Sequence, residues 1–200
     1  MRAWVVHEYG HYKNALKFDE AEAPRAESES AVIDVKAAGV MYADLLNISG
    51  NYQMKAPLPF VPGSEAAGVV VEAGAGSQFN VGDRVVTVNL MGAFAERMLA
   101  LDPVSFRIPD AMSFADAAAF TINYQTSYFA LVYRANLKPG EWVLVHGGAG
   151  GVGTASIQLA KALGATAIAT AGSDEKLALC AQRGADHAIN YRAGGFINAG

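Results

Sequence analysis

The sequence predicts two unlike architectures in tandem: a β-rich domain over residues 1–122, then the first half of a doubly wound parallel α/β domain over residues 123–200. Three observations carry that expectation. Between residues 2 and 101, short apolar or alternating runs recur between turn signals. Near Pro109 the character changes to alanine-rich and aromatic stretches with helical spacing. Residues 141–172 then read EWVLVHGGAGGVGTASIQLAKALGATAIATAG: an apolar run, a glycine cluster, a helical stretch and a second apolar run. Strand, turn, helix, strand is a βαβ unit, and such crossovers build parallel sheets.

In the β-rich part the strand candidates are residues 2–7, 16–19, 31–36, 68–72, 84–88 and 93–101. Tyr9-Gly10, residues 22–29, residues 74–76 and Gly82-Asp83 separate them with turn-forming residues. Residues 42–48 read as one short helix with Leu45, Leu46 and Ile48 available to pack, and residues 51–62 as a proline-interrupted loop. Many short strands with frequent turns favour a barrel-like domain. Residues 113–120 and 123–136 are expected as two helices, and residues 142–146 as a buried strand. Residues 154–163 follow as a helix closed by Gly164 in the manner of a left-handed cap. Residues 165–171 make the second strand, 173–183 a helix stopped by Gly184, and 187–191 a third strand. The ending RAGGFINAG has no clear periodicity.

The apolar fraction of 52% is ample for a buried core, and the net charge of −4 argues against a nucleic-acid partner. No run approaches the length of a membrane-spanning helix, and the opening MRAWVV lacks the long apolar core of a signal peptide. Cys180 is the single cysteine, so neither an internal disulfide nor a cysteine-cluster zinc site is available, and it reads as a small buried apolar residue on a helix. These features predict a soluble cytoplasmic protein.

Within the glycine cluster, Gly148, Gly150 and Gly153 fall on G-x-G-x-x-G, after a strand and at the opening of a helix. One glycine permits the tight turn, one lets the backbone approach a pyrophosphate, and one lets helix and strand pack closely. Gly148, Gly150, Gly151, Val152 and Gly153 are therefore the candidate dinucleotide-binding residues, with free N–H groups and the positive end of the helix dipole facing the phosphates. NAD-dependent proteins place Asp or Glu at the end of the second strand to bond the ribose 2′-OH. This chain has Gly172 and Ser173 there, with Lys176 beyond. Without a carboxylate to repel it, a 2′-phosphate could be held by Ser and Lys donors, so NADPH is predicted over NADH. The alternative is that Ser173 caps the next helix and Lys176 is solvated.

The stretches AAGVMYADLLNISGNYQ, PLPFVPGSEAAGVV, VGDRVV, LKPGEWVLVHGGAGGVGTASIQLAKALGA and GADHAINY resemble a zinc-free quinone oxidoreductase of the medium-chain dehydrogenase/reductase superfamily. The resemblance implies a GroES-like catalytic domain followed by a Rossmann nucleotide-binding domain. Alcohol dehydrogenases of that superfamily hold a catalytic zinc, and the first two ligand positions match Met41 and Ser64 here, neither a normal zinc ligand. The four-cysteine structural lobe is missing between Asn89 and Phe94, and the four histidines show no ligand spacing, so no metal is predicted. Oxidising a simple alcohol needs a metal or strong base, whereas a quinone or α,β-unsaturated carbonyl accepts hydride and leaves a delocalised oxyanion that hydrogen-bond donors can hold.

Tyr52 and Tyr42 are the candidate catalytic donors, with Thr126 near the nicotinamide end. Tyr52 reads equally as a packing residue, and Tyr42 as a wall of the nicotinamide pocket. The family often has Asn at Met41, and this chain departs from that. Tyr191 resembles a family residue beside the 2′-phosphate, or it ends a strand. The leading function is NADPH-dependent reduction of a small-molecule quinone. The alternatives are an enoyl or alkenal reductase, and an NADPH-binding protein with little turnover. Neither nucleic acid nor membrane is an expected partner, and full-length relatives of this kind are expected as homodimers. Because only the first half of a doubly wound domain is present by residue 200, the chain reads as a truncated reductase expected to bind NADPH poorly and turn over little.

Overall fold

The computed structural model describes residues 1–193, so the ending RAGGFINAG lies outside the described residues from residue 194 onward. The chain divides into two compact units, Met1–Thr121 and Ile122–Gly200.

The first unit opens with a two-stranded antiparallel ribbon, β1 (Arg2–Val6) and β2 (Leu16–Glu20), joined through a single helical turn, α1 (Tyr12–Ala15). Five more strands form one antiparallel sheet: β3 (Ser30–Gly39), β4 (Glu65–Ala73), β5 (Arg84–Val88), β6 (Arg97–Leu101) and β7 (Ser105–Arg107), in the order β6-β3-β4-β5-β7. The two edge strands follow each other directly in sequence, linked only by a 3-10 turn at Asp102–Val104. The links from Leu101 to Ser105 span at most about 14 Å. A flat sheet of this order would hold its edge strands about 19 Å apart. The sheet must therefore curl until its edges meet, which is the barrel-like form the turn spacing predicts. At that meeting point the buried Ser105 hydroxyl lies 2.7 Å from Leu101 O and 2.8 Å from Thr87 Oγ1. Inside the curl, Ile33, Val70, Phe79, Val85 and Met98 make the core.

Between β3 and β4 lies helix α2 (Tyr42–Ser49). Gly50 ends it at φ +72, and a methyl group there would strike the Tyr9 ring at 2.8 Å. The strand expected over residues 93–101 begins only at Arg97, because residues 93–96 run against the ribbon instead, bridging Ala3 through Ala95. The short β7 escapes a periodicity reading, since three residues are too few to show alternation.

The second unit holds a parallel sheet in the order β10-β9-β8, from β8 (Trp142–Val145), β9 (Thr166–Ala171) and β10 (His187–Asn190). The crossovers are α4 (Gly151–Ala162) and α5 (Asp174–Gln182). Their apolar faces cover Ala167, Ala169 and Ala171, and small strand residues let the helices approach closely. Cys180 is fully buried in that layer, and burial pushes its thiol above the ordinary range, as suits a packing residue. Gly164 follows α4 at φ +78, the left-handed conformation its position predicts. Asp186 fastens the far end of the unit: its carboxylate accepts from Lys161 Nζ at 2.7 and 2.8 Å and from the Ala167 N–H at 2.7 Å.

Two expectations are corrected here. Residues 113–120 and 123–136 are not two helices but one, α3 (Phe114–Tyr128), which runs on as a π-helical stretch over Phe129–Arg134. No glycine or proline interrupts residues 114–134, so nothing breaks the ladder. Nor is β8 buried on both faces. Trp142 is 64% exposed and Leu144 49%, because period-2 alternation turns them away from the helix-covered alanines. Among the described residues, no helix is long and apolar enough to cross a membrane.

Candidate functional site

The glycine turn between β8 and α4 is built from positions that exclude a side chain for different reasons. Gly147 takes φ +64, and the Gly150 N–H closes back onto Gly147 O at 2.9 Å. The left-handed residue of the turn is thus Gly147, one before the fingerprint. Gly148, the first glycine of the fingerprint, has a packing role: a methyl group there would lie 2.9 Å from both Ala169 Cβ and Cys180 Sγ. Gly153 presses the first turn of α4 onto the loop, where a methyl group would come within 2.8 Å of Gly148 Cα. Gly150 is the least crowded of the three fingerprint glycines. It is exposed, and its only near neighbour would be Gly147 O at 3.3 Å.

Helix α4 starts at Gly151 with Gly150 as its N-cap and no side-chain cap. A helix of this length with an uncapped start presents backbone N–H groups and the positive dipole end together. Gly151, Val152 and Gly153 supply those groups, while Thr154 N–H is already used by Gly150 O at 2.8 Å. Such a cradle fits a diphosphate, which needs donors and close backbone approach but no countercharge. Helix α3 braces it. The fully buried Ser127 donates to Val152 O at 3.1 Å and accepts from Ser156 Oγ at 3.0 Å. Thr126, the nicotinamide-end candidate, is the exposed neighbour of Ser127 on the same helix. Ser127 carries no sequence signal of its own, since a serine inside a helix is unremarked until its partner is known.

The second part of the candidate site lies at the ends of β9 and β10. A methyl group on Gly172 would lie 2.7 Å from the Tyr191 hydroxyl oxygen and 3.1 Å from Arg192 Nε. Gly172, Tyr191 and Arg192 therefore come together where the ribose of a dinucleotide would be read. Arg192 went unread in the sequence, although a cation directly after the third strand was its available signal. Ser173 caps α5, accepting from Lys176 N–H across a long 3.5 Å, which is the alternative reading of that serine. Lys176 is exposed on the first turn of α5, and Asp174 is engaged by Asn190 Nδ2 at 3.1 Å.

The candidate catalytic tyrosines belong to the first unit. Tyr42 opens α2 and is 75% exposed, so its ring takes no part in that unit's own packing. Tyr52 is half-buried just past Gly50, in a loop held at its far side by the Tyr9 hydroxyl bonding Ala56 O. Met41 is the N-cap of α2, with its N–H bonded to Asp44 Oδ2 at 2.7 Å, and Ser64 Oγ donates to Leu90 O at 3.3 Å. A thioether at a helix cap and a hydroxyl engaged with a carbonyl are not the donor chemistry of a zinc site. Among the described residues there is no group of three or more His, Cys, Asp or Glu that could hold a metal ion. Asp44 is 1% exposed with Oδ1 unpartnered, and burial pushes its carboxyl above the ordinary range, offset in part by the Met41 N–H.

Comparison with known proteins agrees with both halves of this geometry. Residues 27–109 match the alcohol dehydrogenase GroES-like domain, and residues 151–199 match the domain family described as zinc-binding dehydrogenase. The quinone oxidoreductase of Pongo abelii is 38% identical over 200 residues, covering 99% of this chain and 61% of that protein. A probable oxidoreductase from Mycobacterium abscessus superposes with a TM-score of 0.91 at 40% identity, covering 97% of this chain and 62% of its own. The Escherichia coli quinone oxidoreductase complexed with NADPH gives 0.88 at 33% identity, covering 96% and 59%. The chain thus spans about three fifths of the length of the relatives it matches, 61% in the first case. Its curled sheet is a GroES-like domain and its parallel sheet the start of a Rossmann-like one. By fold, by sequence and by the glycine turn, the chain belongs to the quinone-oxidoreductase-like family of the medium-chain dehydrogenase/reductase superfamily.

Proposed function

We propose that this chain carries the nucleotide cradle and part of the substrate-facing surface of an NADPH-dependent, zinc-independent quinone reductase of the cytoplasm. The observation that carries the reading is the pairing of two features in one unit: an uncapped α4 N-terminus over a side-chain-free turn, and Tyr191 with Arg192 around Gly172 where a carboxylate would stand in an NAD site. NADPH, when bound, supplies the hydride. The backbone N–H groups of Gly151, Val152 and Gly153 hold its pyrophosphate. Tyr191, Arg192 and Lys176 accept the 2′-phosphate, three donors with no competing carboxylate at Gly172. Tyr42 and Tyr52 offer hydroxyl donors to the oxyanion left when the substrate takes hydride, and a solvent proton completes the hydroquinone. Met41 and Ser64 support zinc independence by their donor chemistry.

The test has two readouts. NADPH and NADH are titrated separately by calorimetry, and nucleotide oxidation is followed with a panel of quinones, enones and alcohols. NADPH should bind at least tenfold tighter than NADH, with quinones the preferred oxidants and alcohols inert in reverse. Preference for enones would move the reading to alkenal reduction, and NADPH binding without turnover would reduce it to a nucleotide-binding module. Equal affinity for both nucleotides would remove the 2′-phosphate assignment.

A further inference from the structure

The glycine run contains two glycines that the dinucleotide fingerprint does not use, and Gly147 is accounted for by its φ of +64. Gly151, the first residue of α4, has no positive φ to explain it. What a side chain there would strike is Asn123 on α3. A methyl group on Gly151 would lie 2.6 Å from Asn123 Oδ1 and 3.0 Å from Nδ2. The carboxamide fills the space that Gly151 leaves, against the opening turn of α4. Its position is set by the rest of the helix pair. One turn along α3, Ser127 bonds Val152 O and Ser156, and Tyr124 donates its hydroxyl to Gln158 Oε1. Asn123, Tyr124 and Ser127 on α3 thus all meet α4.

A carboxamide in this place has a chemistry that no backbone group supplies. A carboxamide carries an acceptor oxygen and an NH2 with two donor hydrogens, so it can serve a helix N–H and an anion at once. A carboxylate of the same size would offer acceptors only and would repel a diphosphate. From this geometry we infer that Asn123 is a cofactor-binding residue, adding a neutral side-chain donor to the pyrophosphate cradle, and that Gly151 lacks a side chain in order to admit it. This rests on the nucleotide reading of the cradle. The pyrophosphate is common to both nicotinamide dinucleotides, so Asn123 contributes to affinity without contributing to the choice between them, unlike Lys176 and Arg192.

The experiment titrates NADPH and NADH by calorimetry into the full chain and into Asn123→Ala, Asn123→Asp, Gly151→Ala and the double variant Asn123→Ala/Gly151→Ala. Thermal midpoints are recorded without nucleotide. Asn123→Asp preserves shape and should weaken both nucleotides equally, by about tenfold or more. Asn123→Ala should cost about three- to tenfold. Gly151→Ala should cost as much as Asn123→Ala alone, and nothing further once Asn123 is gone, because it acts by displacing that side chain. Wild-type affinity in Asn123→Asp, losses that only track a falling thermal midpoint, or full additivity in the double variant would each overturn the inference and leave the cradle standing. A wild-type chain that binds neither nucleotide overturns the cradle and this inference together.

Discussion

The Tyr191 hydroxyl lies over the backbone of Gly172, so close that a methyl group there would stand 2.7 Å from its oxygen. With Arg192 Nε 3.1 Å from the same point, the end of β10 reaches back over the end of β9. Two donors therefore stand where the second strand's terminal residue would otherwise read a ribose hydroxyl. Arg192→Ala and Lys176→Ala should each weaken NADPH by about tenfold, the low end for a charge-assisted bond on an exposed side chain, and leave NADH nearly unchanged. Calorimetry with both nucleotides checks this, and equal losses for the two would take both residues out of the 2′-phosphate site.

Gly153 is the glycine whose loss should cost the fold most. Its missing side chain is what lets α4 start against Gly148 Cα, backbone that has no side chain to move aside. Gly153→Ala should lower unfolding free energy by about 1–3 kcal/mol, the usual cost of overpacking, and should abolish measurable nucleotide binding. Urea unfolding and calorimetry on the same samples read the two effects. Gly150→Ala, whose methyl group would meet only Gly147 O at 3.3 Å, should cost less stability than Gly153→Ala and lose affinity, so the pair separates packing from ligand approach.

Met41 and Ser64 predict indifference to chelators. Prolonged treatment with EDTA or a dipyridyl chelator should leave reductase activity and nucleotide affinity unchanged, and elemental analysis of the purified chain should find no stoichiometric zinc. One zinc per chain would overturn the assignment of these side chains as non-ligands.

Two aspartates should give opposite pH signatures. The Lys161 ammonium first, and the Ala167 N–H second, hold the Asp186 carboxyl below its ordinary value of 3.8. Its stabilising contribution is complete above that value and is lost as pH falls through the lower folded-state value. Asp186→Asn should therefore unfold at a lower denaturant concentration at neutral pH, the gap closing in acid. Asp44 is displaced the other way, chiefly by burial. Its ionisation costs the folded state stability as pH rises through the raised value. Asp44→Asn keeps an acceptor for the Met41 N–H, so it should gain on the wild type as pH rises from the ordinary carboxylate value of 3.8 through the raised folded-state value. Denaturation midpoints across that range check both signs.

The parts of this site that were legible in the sequence are those where one residue type answers one steric demand. Gly153 is of that kind, and so is Gly164 with its φ of +78. Where several glycines stand together the sequence does not say which one bears which demand, and the turn fell to Gly147 while Gly148 went to packing. Trp142 and Leu144 read as core because an apolar run looks the same whether one or both faces are covered; exposure depends on neighbours remote in sequence. Ser127 and Asn123 were illegible for a related reason. Their meaning is their distance to α4, which no local pattern encodes.

The strand that passes from one sheet edge to the other has a consequence for exchange with solvent. Leu101 pairs with Ser30 on one side of the 3-10 turn, and Ser105 pairs with Thr87 on the other, so neither edge can fray without pulling on its opposite. The amide hydrogens of β3, β4 and β5 should then exchange together, through opening of the whole curled sheet rather than strand by strand. The β1–β2 ribbon is held to the sheet side by bridges at Ala3–Ala95 and Val6–Phe60 and should open at lower free energy. Deuterium uptake would register the first unit as two protection classes, with the division running between the ribbon and the sheet.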